Sequence, residues 1–328
     1  MPVPALRRGL LDHRADLQRR WRTDHPVMTT ESTDTFPIGF IGLGNMGAPI
    51  AQRFVAWPGG LVVCDARPEA TEKVVAAGAT AVATAAEVAA TARVISITVL
   101  NDEQVRSVIT GPGGILETAT AGTVIAVHST IAPATAIDLA EVCAVHGVDL
   151  VDAPVSGGAP GAEQGRLAIM VGGPRAAYET VKPVFALASD MTIHAGEVGA
   201  GTRMKLARNL LHFISFTATT EAARLAEAAG IDIVKLGKVV RHTDAITGGA
   251  GAIMLRDTTA PIAPNDFWHS VFTHVRGLGE KDVALALDLA DELDVDLPLG
   301  RIALERLGDG LGVGPGEIAS HHQNGVTR

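Results

Sequence analysis

Residues 36–65 read as strand, glycine turn, helix and second strand, an order that leaves few folds open. Pro37-Ile-Gly-Phe-Ile41 is an apolar run of strand length. Gly42-Leu-Gly44-Asn-Met-Gly47 follows at once, Asn45 to Trp57 is patterned as a helix, and Gly60-Leu-Val-Val-Cys-Asp65 is the next strand. Glycines at this spacing permit a tight turn, close approach of a pyrophosphate and close helix packing. The spacing alone is a weak signal. Between a strand and a helix, with an acidic residue about 20 positions on at the end of the second strand, it predicts a dinucleotide site. Gly42, Leu43, Gly44, Asn45, Met46, Gly47 and Asp65 are the cofactor candidates, with the Asp65 carboxylate aimed at a ribose 2′-hydroxyl. That carboxylate would repel a 2′-phosphate, which favours NAD. Arg67, two residues later, could turn toward a phosphate and keeps NADP as the alternative.

The alternation continues. Apolar strands fit at Arg93 to Val99, Thr123 to Val127 and Val148 to Val151, with Ala-rich helices between them, so the first half is predicted to be an α/β doubly wound parallel sheet. In such sheets ligands bind at the carboxyl ends of the strands. The fourth strand ends at Thr98-Val99-Leu100-Asn101, which puts Val99 and Leu100 beside the cofactor. The fifth ends at His128-Ser129-Thr130; Ser129 and Thr130 are either neighbours of a nicotinamide ring or N-caps ahead of Pro133. A glycine-rich stretch, Asp152 to Gly165, surrounds Ser156. Ser156 with the amides of Gly157 and Gly158 could form a nest for a carboxylate, and a hairpin-like connection is the equal alternative.

Gly199-Ala-Gly-Thr-Arg-Met-Lys-Leu-Ala-Arg-Asn209 opens another helix, with Lys205 and Asn209 one turn apart on the same face. The apolar segment behind them, through Phe213 to Ala229, is long enough for a buried helix of about seven turns. Of the 27 basic residues, 21 are Arg and six are Lys. Surface charge is therefore made with Arg, which keeps its proton, and a Lys here is less casual because its pKa falls on burial or near other cations. Lys205 is the acid–base candidate; its competitor is a helix-end lysine with a snorkelling stem. Further helices are predicted at Ile233 to His242, Val271 to Leu293 and Leu299 to Leu307, with Gly230 as a C-cap.

A chain of 328 residues with 47% hydrophobic content suggests two domains. Its net charge of -9 argues against nucleic acid or an anionic membrane as a partner. Two cysteines, Cys64 and Cys143, no signal peptide and no long apolar run point to a reduced, soluble, cytoplasmic protein. The eleven His are scattered and no metal site is expected. Residues 1–35 carry six of the Arg together with Asp12, Asp16 and Asp24; they read as a disordered or weakly helical extension that a translation start at Met28 would remove. Residues 311–328 read as a flexible, glycine-rich and polar tail.

Four motifs in order, spanning Phe36 to Leu307, resemble the β-hydroxyacid dehydrogenase family, which includes 3-hydroxyisobutyrate dehydrogenase and tartronate semialdehyde reductase. They are the glycine turn with Met46-Gly47-Ala-Pro49, Asp152-Ala-Pro-Val-Ser156-Gly-Gly, Gly196-x-x-Gly199-x-Gly201-x-x-x-Lys205-x-x-x-Asn209, and Glu280-Lys281-Asp282. The resemblance implies a Rossmann domain over 36–197, an all-α domain over 198–310, and a long inter-domain helix carrying the lysine. It implies Lys205 as the catalytic residue and Asn209 as its substrate-binding companion. Ser156, Gly157 and Gly158 become substrate carboxylate contacts, and Thr130 and Lys281 cofactor contacts. It also implies a homodimer or homotetramer and hydride transfer between NAD(P) and a small β-hydroxyacid. Rival readings are an NADPH-dependent reductase of glyoxylate or a short semialdehyde, an imine reductase, which usually lacks this lysine, and a non-catalytic cofactor-binding scaffold. Departures from the family pattern are Arg208 where many members have asparagine, His128 where an acid is usual, the absence of a tryptophan near Ile253, and His212-Phe213 beyond Asn209. All four are expected to lie near the substrate.

Overall fold

The computed structural model describes residues 36–256 and 258–316. The expectations for residues 1–35 and 317–328 lie outside the described residues. Those described fall into two compact units that divide after Arg203.

The first unit contains β1 (Ile38–Ile41), α1 (Gly47–Phe54), β2 (Leu61–Cys64), α2 (Glu72–Ala76), β3 (Thr80–Ala81), α3 (Ala85–Ala89), β4 (Val94–Ile97), α4 (Asp102–Thr110), β5 (Val124–Val127), α5 (Pro133–Val145), β6 (Asp149–Asp152), β7 (Val155–Ser156), α6 (Gly158–Glu163), β8 (Leu167–Gly172), α7 (Arg175–Phe185) and β9 (Ser189–Gly196). The first six strands pair in parallel in the order β3-β2-β1-β4-β5-β6. β1, β4 and β5 are buried along their whole length because helices cover both faces. Successive residues of these strands feed opposite layers. Phe40, Val94 and Ala126 join the layer of Ile50, Phe54 and Val181, while Ile95, Ile97 and Val127 join that of Val105 and Leu139.

The sheet extends beyond the parallel core. β6 pairs antiparallel with β8 at Asp152↔Gly172, and β7 carries on in the same register at Val155↔Ile169 and Ser156↔Ala168. β9 then adds to β8 in parallel. Ser156 therefore stands at the end of a short strand that leads into α6. The hairpin-like alternative holds for the β7–β8 pairing, although a helical turn, and not a tight loop, makes the connection.

The second unit is helical. It comprises most of α8 (Ala200–Ala228), then α9 (Ile233–Thr247), α10 (Phe267–Glu292) and α11 (Pro298–Gly310). Leu287, Ala290, Leu297 and Leu304 form one small core with Leu225 packed on it; Phe272, Ile262 and Leu311 form another. Two buried carboxylates accept from backbone N–H groups of this unit. Glu221 of α8 accepts from the N–H groups of Leu299 (2.8 Å) and Gly300 (3.0 Å) at the start of α11, and Glu280 accepts from Gly316 (2.9 Å).

Two expectations are corrected here. The apolar helix behind Lys205 is not buried within the chain: Leu210 is 65%, Phe213 59% and Phe216 54% exposed, since too little chain packs on this stretch of α8 to cover it. Residues 311–316 are not a loose tail. Leu311 is in the core, and Arg276 donates to the carbonyls of Val313 and Gly314.

Candidate functional site

The carboxyl ends of β1, β2 and β4 converge at the point where the strand order reverses, the usual crevice for a ligand in such a sheet. Gly42 has φ +90°, and a Cβ there would sit 2.1 Å from the carbonyl oxygen of Thr98. A Cβ on Gly47 would lie 1.9 Å from the carbonyl oxygen of Gly42, so α1 starts against the turn only because that side chain is missing. At Gly44 nothing stands within 4 Å, which leaves the middle of the turn open to a bound group. Turn, opening and close packing match a pyrophosphate cradle. Asn45 is exposed and Met46 half-buried, whereas the Leu43 side chain is in the core.

Asp65 ties β2 to the turn. Its carboxylate accepts from the N–H of Leu43 (2.6 Å) and the N–H of Arg67 (2.8 Å), with the Arg67 Nε 3.6 Å away. Each oxygen keeps acceptor capacity for a hydroxyl. This arrangement fits an unmodified ribose, with the Arg67 guanidinium as the nearby cation.

At the end of β4 the Ser129 hydroxyl donates to the carbonyl of Val99 (2.7 Å) and accepts from its N–H (2.9 Å). Ser129 is thus a clamp between strand ends. Neither it nor Thr130 caps α5, whose N-cap is Ala132, and that N–H donates to Asp102 (3.0 Å). Thr130 is exposed, and Leu100 is 87% exposed beyond the clamped Val99. Gly157 has φ +130° and is exposed together with Gly158, while Ser156 is half-buried.

His128, expected beside the substrate, is instead a core residue. It is 3% exposed, with Nδ1 2.8 Å from the Ala153 carbonyl, Nε2 3.0 Å from the Ser96 hydroxyl, and its ring stacked on Phe40. Burial pushes its pKa down to about 4 from 6.5, against the opposing effect of the carbonyl. The unfolded chain then binds the proton more readily, so stability present above pH 6.5 is lost as pH falls toward 4. From pH 7.5 to pH 5 this one group should cost the first unit about 2 kcal/mol. Urea midpoints of wild type and His128→Asn at the two pH values measure it. An equal loss in both proteins would remove the histidine as the cause.

Asp152 gave no functional signal in the sequence beyond opening a motif, yet it organises the start of α8. The residue is fully buried at the end of β6; its oxygens accept from the N–H of Gly199 (2.7 Å) and of Thr202 (2.6 Å). Burial raises the pKa of its carboxyl, and the two N–H groups work against that rise. A Cβ on Gly201 would lie 2.3 Å from the carbonyl oxygen of Met170, so the helix begins in backbone contact with β8. An acid at the carboxyl end of β6, with Gly199 and Gly201 downstream, was the available signal.

In the second unit, Lys205 and Asn209 are half-buried on α8. Burial, and next the positive charge of Arg208, hold the Lys205 ammonium below its ordinary pKa. Arg208 donates to the Asn209 side-chain oxygen (3.2 Å), which leaves that carboxamide's NH2 as donor. His212 is half-buried with its ring 4.2 Å from that of Phe216. Lys281 is exposed on α10 and pairs with Asp282 (2.6 Å). Among the described residues, no group of three or more His, Cys, Asp or Glu could hold a metal ion, and no helix is long and apolar enough to cross a membrane.

Comparison with known proteins agrees with the two-unit layout. Residues 37–196 match the NAD binding domain of 6-phosphogluconate dehydrogenase. Residues 199–314 match the NAD-binding domain of NADP-dependent 3-hydroxyisobutyrate dehydrogenase. An uncharacterised oxidoreductase of Mycobacterium tuberculosis is 56% identical over 87% of this chain and 96% of its own length. The 2-(hydroxymethyl)glutarate dehydrogenase of Eubacterium barkeri is 34% identical over 85% of this chain and 90% of its own. A Mycobacterium avium 104 protein, named an oxidoreductase in its crystal structure, superposes with a TM-score of 0.81 at 54% identity, covering 85% of this chain and 99% of that one.

Proposed function

This chain belongs to the β-hydroxyacid dehydrogenase family of NAD(P)-dependent oxidoreductases that act on hydroxyl groups, and from that membership we propose that it oxidises the hydroxymethyl group of a small β-hydroxyacid with Lys205 as general base. The observation that carries the reading is the place of Lys205 on α8, half-buried, beside the Arg208 cation and one turn before Asn209, surroundings that lower a lysine's pKa. A lysine held below its ordinary value has more neutral amine available at working pH. Its Nζ takes the hydroxyl proton as the carbon–oxygen double bond forms, and returns it when the reaction runs as a reduction. Bound NAD supplies the acceptor for the hydride that leaves the same carbon.

Asn209 offers its NH2 to the reacting oxygen, an orientation supported by the Arg208 contact. Ser156 and the amides of Gly157 and Gly158 hold the carboxylate. Gly42 to Gly47, Asp65, Val99, Leu100, Thr130 and Lys281 contact the cofactor, with NAD preferred. Both named dehydrogenases among the matches act on acids with a CH2OH group next to the carboxylate-bearing carbon, which supports that substrate class. The exposed apolar residues of α8 and α9, Phe213, Phe216 and Val239 among them, support a homodimer or homotetramer that buries them.

The test is a panel of short 3-hydroxyacids and the corresponding semialdehydes, followed by nicotinamide absorbance with NAD and NADP separately, on protein whose mass in solution is read by light scattering. Turnover of a CH2OH acid, faster with NAD, by an oligomer is expected. No turnover of any member would overturn the catalytic reading, and a monomer would overturn the oligomeric one.

A further inference from the structure

We infer that Ser129 is a positioning residue for the cofactor: its hydroxyl replaces the last rung between β4 and β5 and fixes Val99, through which it sets the affinity for NAD. The inference rests on the proposed reading of Val99 and Leu100 as cofactor contacts, and all of its residues lie in the first unit. β4 and β5 run in register from Val94↔Val124 to Ile97↔Val127, and the final ladder bond is given by the His128 N–H to the Ile97 carbonyl (2.9 Å). The same register would next bring Val99 opposite Ser129, with Val99 donating to the His128 carbonyl and accepting from the Thr130 N–H. Both backbone groups of Val99 go instead to one hydroxyl, which accepts from the N–H (2.9 Å) and donates to the carbonyl (2.7 Å). A hydroxyl has one proton to give, so the two bonds fix its orientation. The strand ends therefore part, as a crevice requires, while the Val99 backbone stays tied to β5.

The place of Val99 matters because the glycine turn closes against it. A Cβ on Gly42 would lie 2.1 Å from the Thr98 carbonyl oxygen and 3.2 Å from a Val99 methyl. The neighbours of Val99 have anchors of their own. The Thr98 N–H donates to the Ile41 carbonyl (2.8 Å), the Leu100 N–H to the Gln104 side-chain oxygen (2.9 Å), and the Asn101 side chain accepts from the Gln104 N–H (2.9 Å). Between these anchors, Val99 is held by Ser129. Ser129 is buried, Val99 half-buried and Leu100 exposed, so the clamp marks the border between core and crevice. Without the hydroxyl, water can reach the two Val99 groups, and the fold tolerates the loss. The freed peptide must then be ordered again when the cofactor binds, and that cost falls on affinity.

Calorimetric titration of the full chain with NAD, in wild type, Ser129→Ala and Ser129→Thr, reads affinity without an acid and without turnover. Ser129→Ala should bind NAD about tenfold more weakly, the effect of losing one well-made hydrogen bond. Ser129→Thr keeps the hydroxyl and should recover most of that loss. Hydrogen exchange of the Val99 amide should be about tenfold faster in Ser129→Ala, while that of the Thr98 amide, held by Ile41, stays as in wild type. If alanine yields too little folded protein, Ser129→Cys, of similar size and with a weaker donor, should bind NAD more weakly than wild type and more weakly than Ser129→Thr. Wild-type affinity in Ser129→Ala or Ser129→Cys overturns the inference, as does an equal loss in Ser129→Thr. Faster exchange at both amides also overturns it, since that is a general loosening of β4. If no acid is turned over by the wild type, the dehydrogenase reading fails, while these measurements with NAD alone still decide the role of Ser129.

Discussion

Lys205→Ala is expected to lower turnover by about 10²- to 10⁴-fold, the range a positioned acid–base group supplies, while NAD still binds with near wild-type affinity. The cofactor cradle is made by residues of the first unit, Gly42 to Gly47 and Asp65, none of which depends on the lysine. Lys205→Arg separates the proton from the charge. Arginine keeps a cation at the position and cannot release a proton in a protein, so it should be almost as inactive as alanine. Added small primary amines should restore part of the alanine variant's rate. Steady-state assays and calorimetric titration with NAD measure both sides; near-normal turnover in either variant would take Lys205 out of the mechanism.

The larger structural effect is expected at Asp152. Removing a buried carboxylate that accepts from two backbone N–H groups leaves both donors without a partner away from water, a change that should cost about 3–5 kcal/mol. Those donors, Gly199 and Thr202, form the first turn of the helix that carries Lys205. Asp152→Ala should therefore loosen that turn and lower kcat as well as the unfolding midpoint. Asp152→Asn keeps the shape but points an NH2 toward one N–H, and should lose about 2 kcal/mol. It serves as the folded variant if alanine proves too unstable to purify. Hydrogen exchange of the Thr202 amide gives the local readout: protection equal to wild type in Asp152→Asn would exclude the carboxylate as the anchor of the helix.

Much of the first unit was legible because its signals are local. Ile38–Ile41, Val94–Ile97 and Val124–Val127 are continuous apolar runs, and only strands covered on both faces use them so. The glycine turn was legible for the same reason, since Gly42 and Gly47 are dictated by backbone contacts within a few residues and with the adjacent strand. β9 was not read, because Asp190, Thr192 and His194 interrupt its apolar pattern, and what makes it a strand is its pairing with β8. The helix ends were misjudged by a few residues where glycine stops the pattern: Trp57 reads as helical but lies past the end of α1 and donates its indole N–H to Phe36.

By itself the sequence determined the alternation of the first parallel strands with helices, the open glycine turn with Asp65 behind it, and the placing of Lys205 and Asn209 on one helical face, all matters of spacing along the chain. Only the tertiary structure decided that Asp152 anchors a helix about 50 residues away, that Ser129 clamps Val99, that His128 is a neutral core residue, and that the apolar side of α8 is left uncovered. Each of these depends on what a side chain meets across the fold. A carboxylate, a hydroxyl or an imidazole has the same composition in a core, a cap or a site, and its role is set by the donors and acceptors that burial leaves within reach.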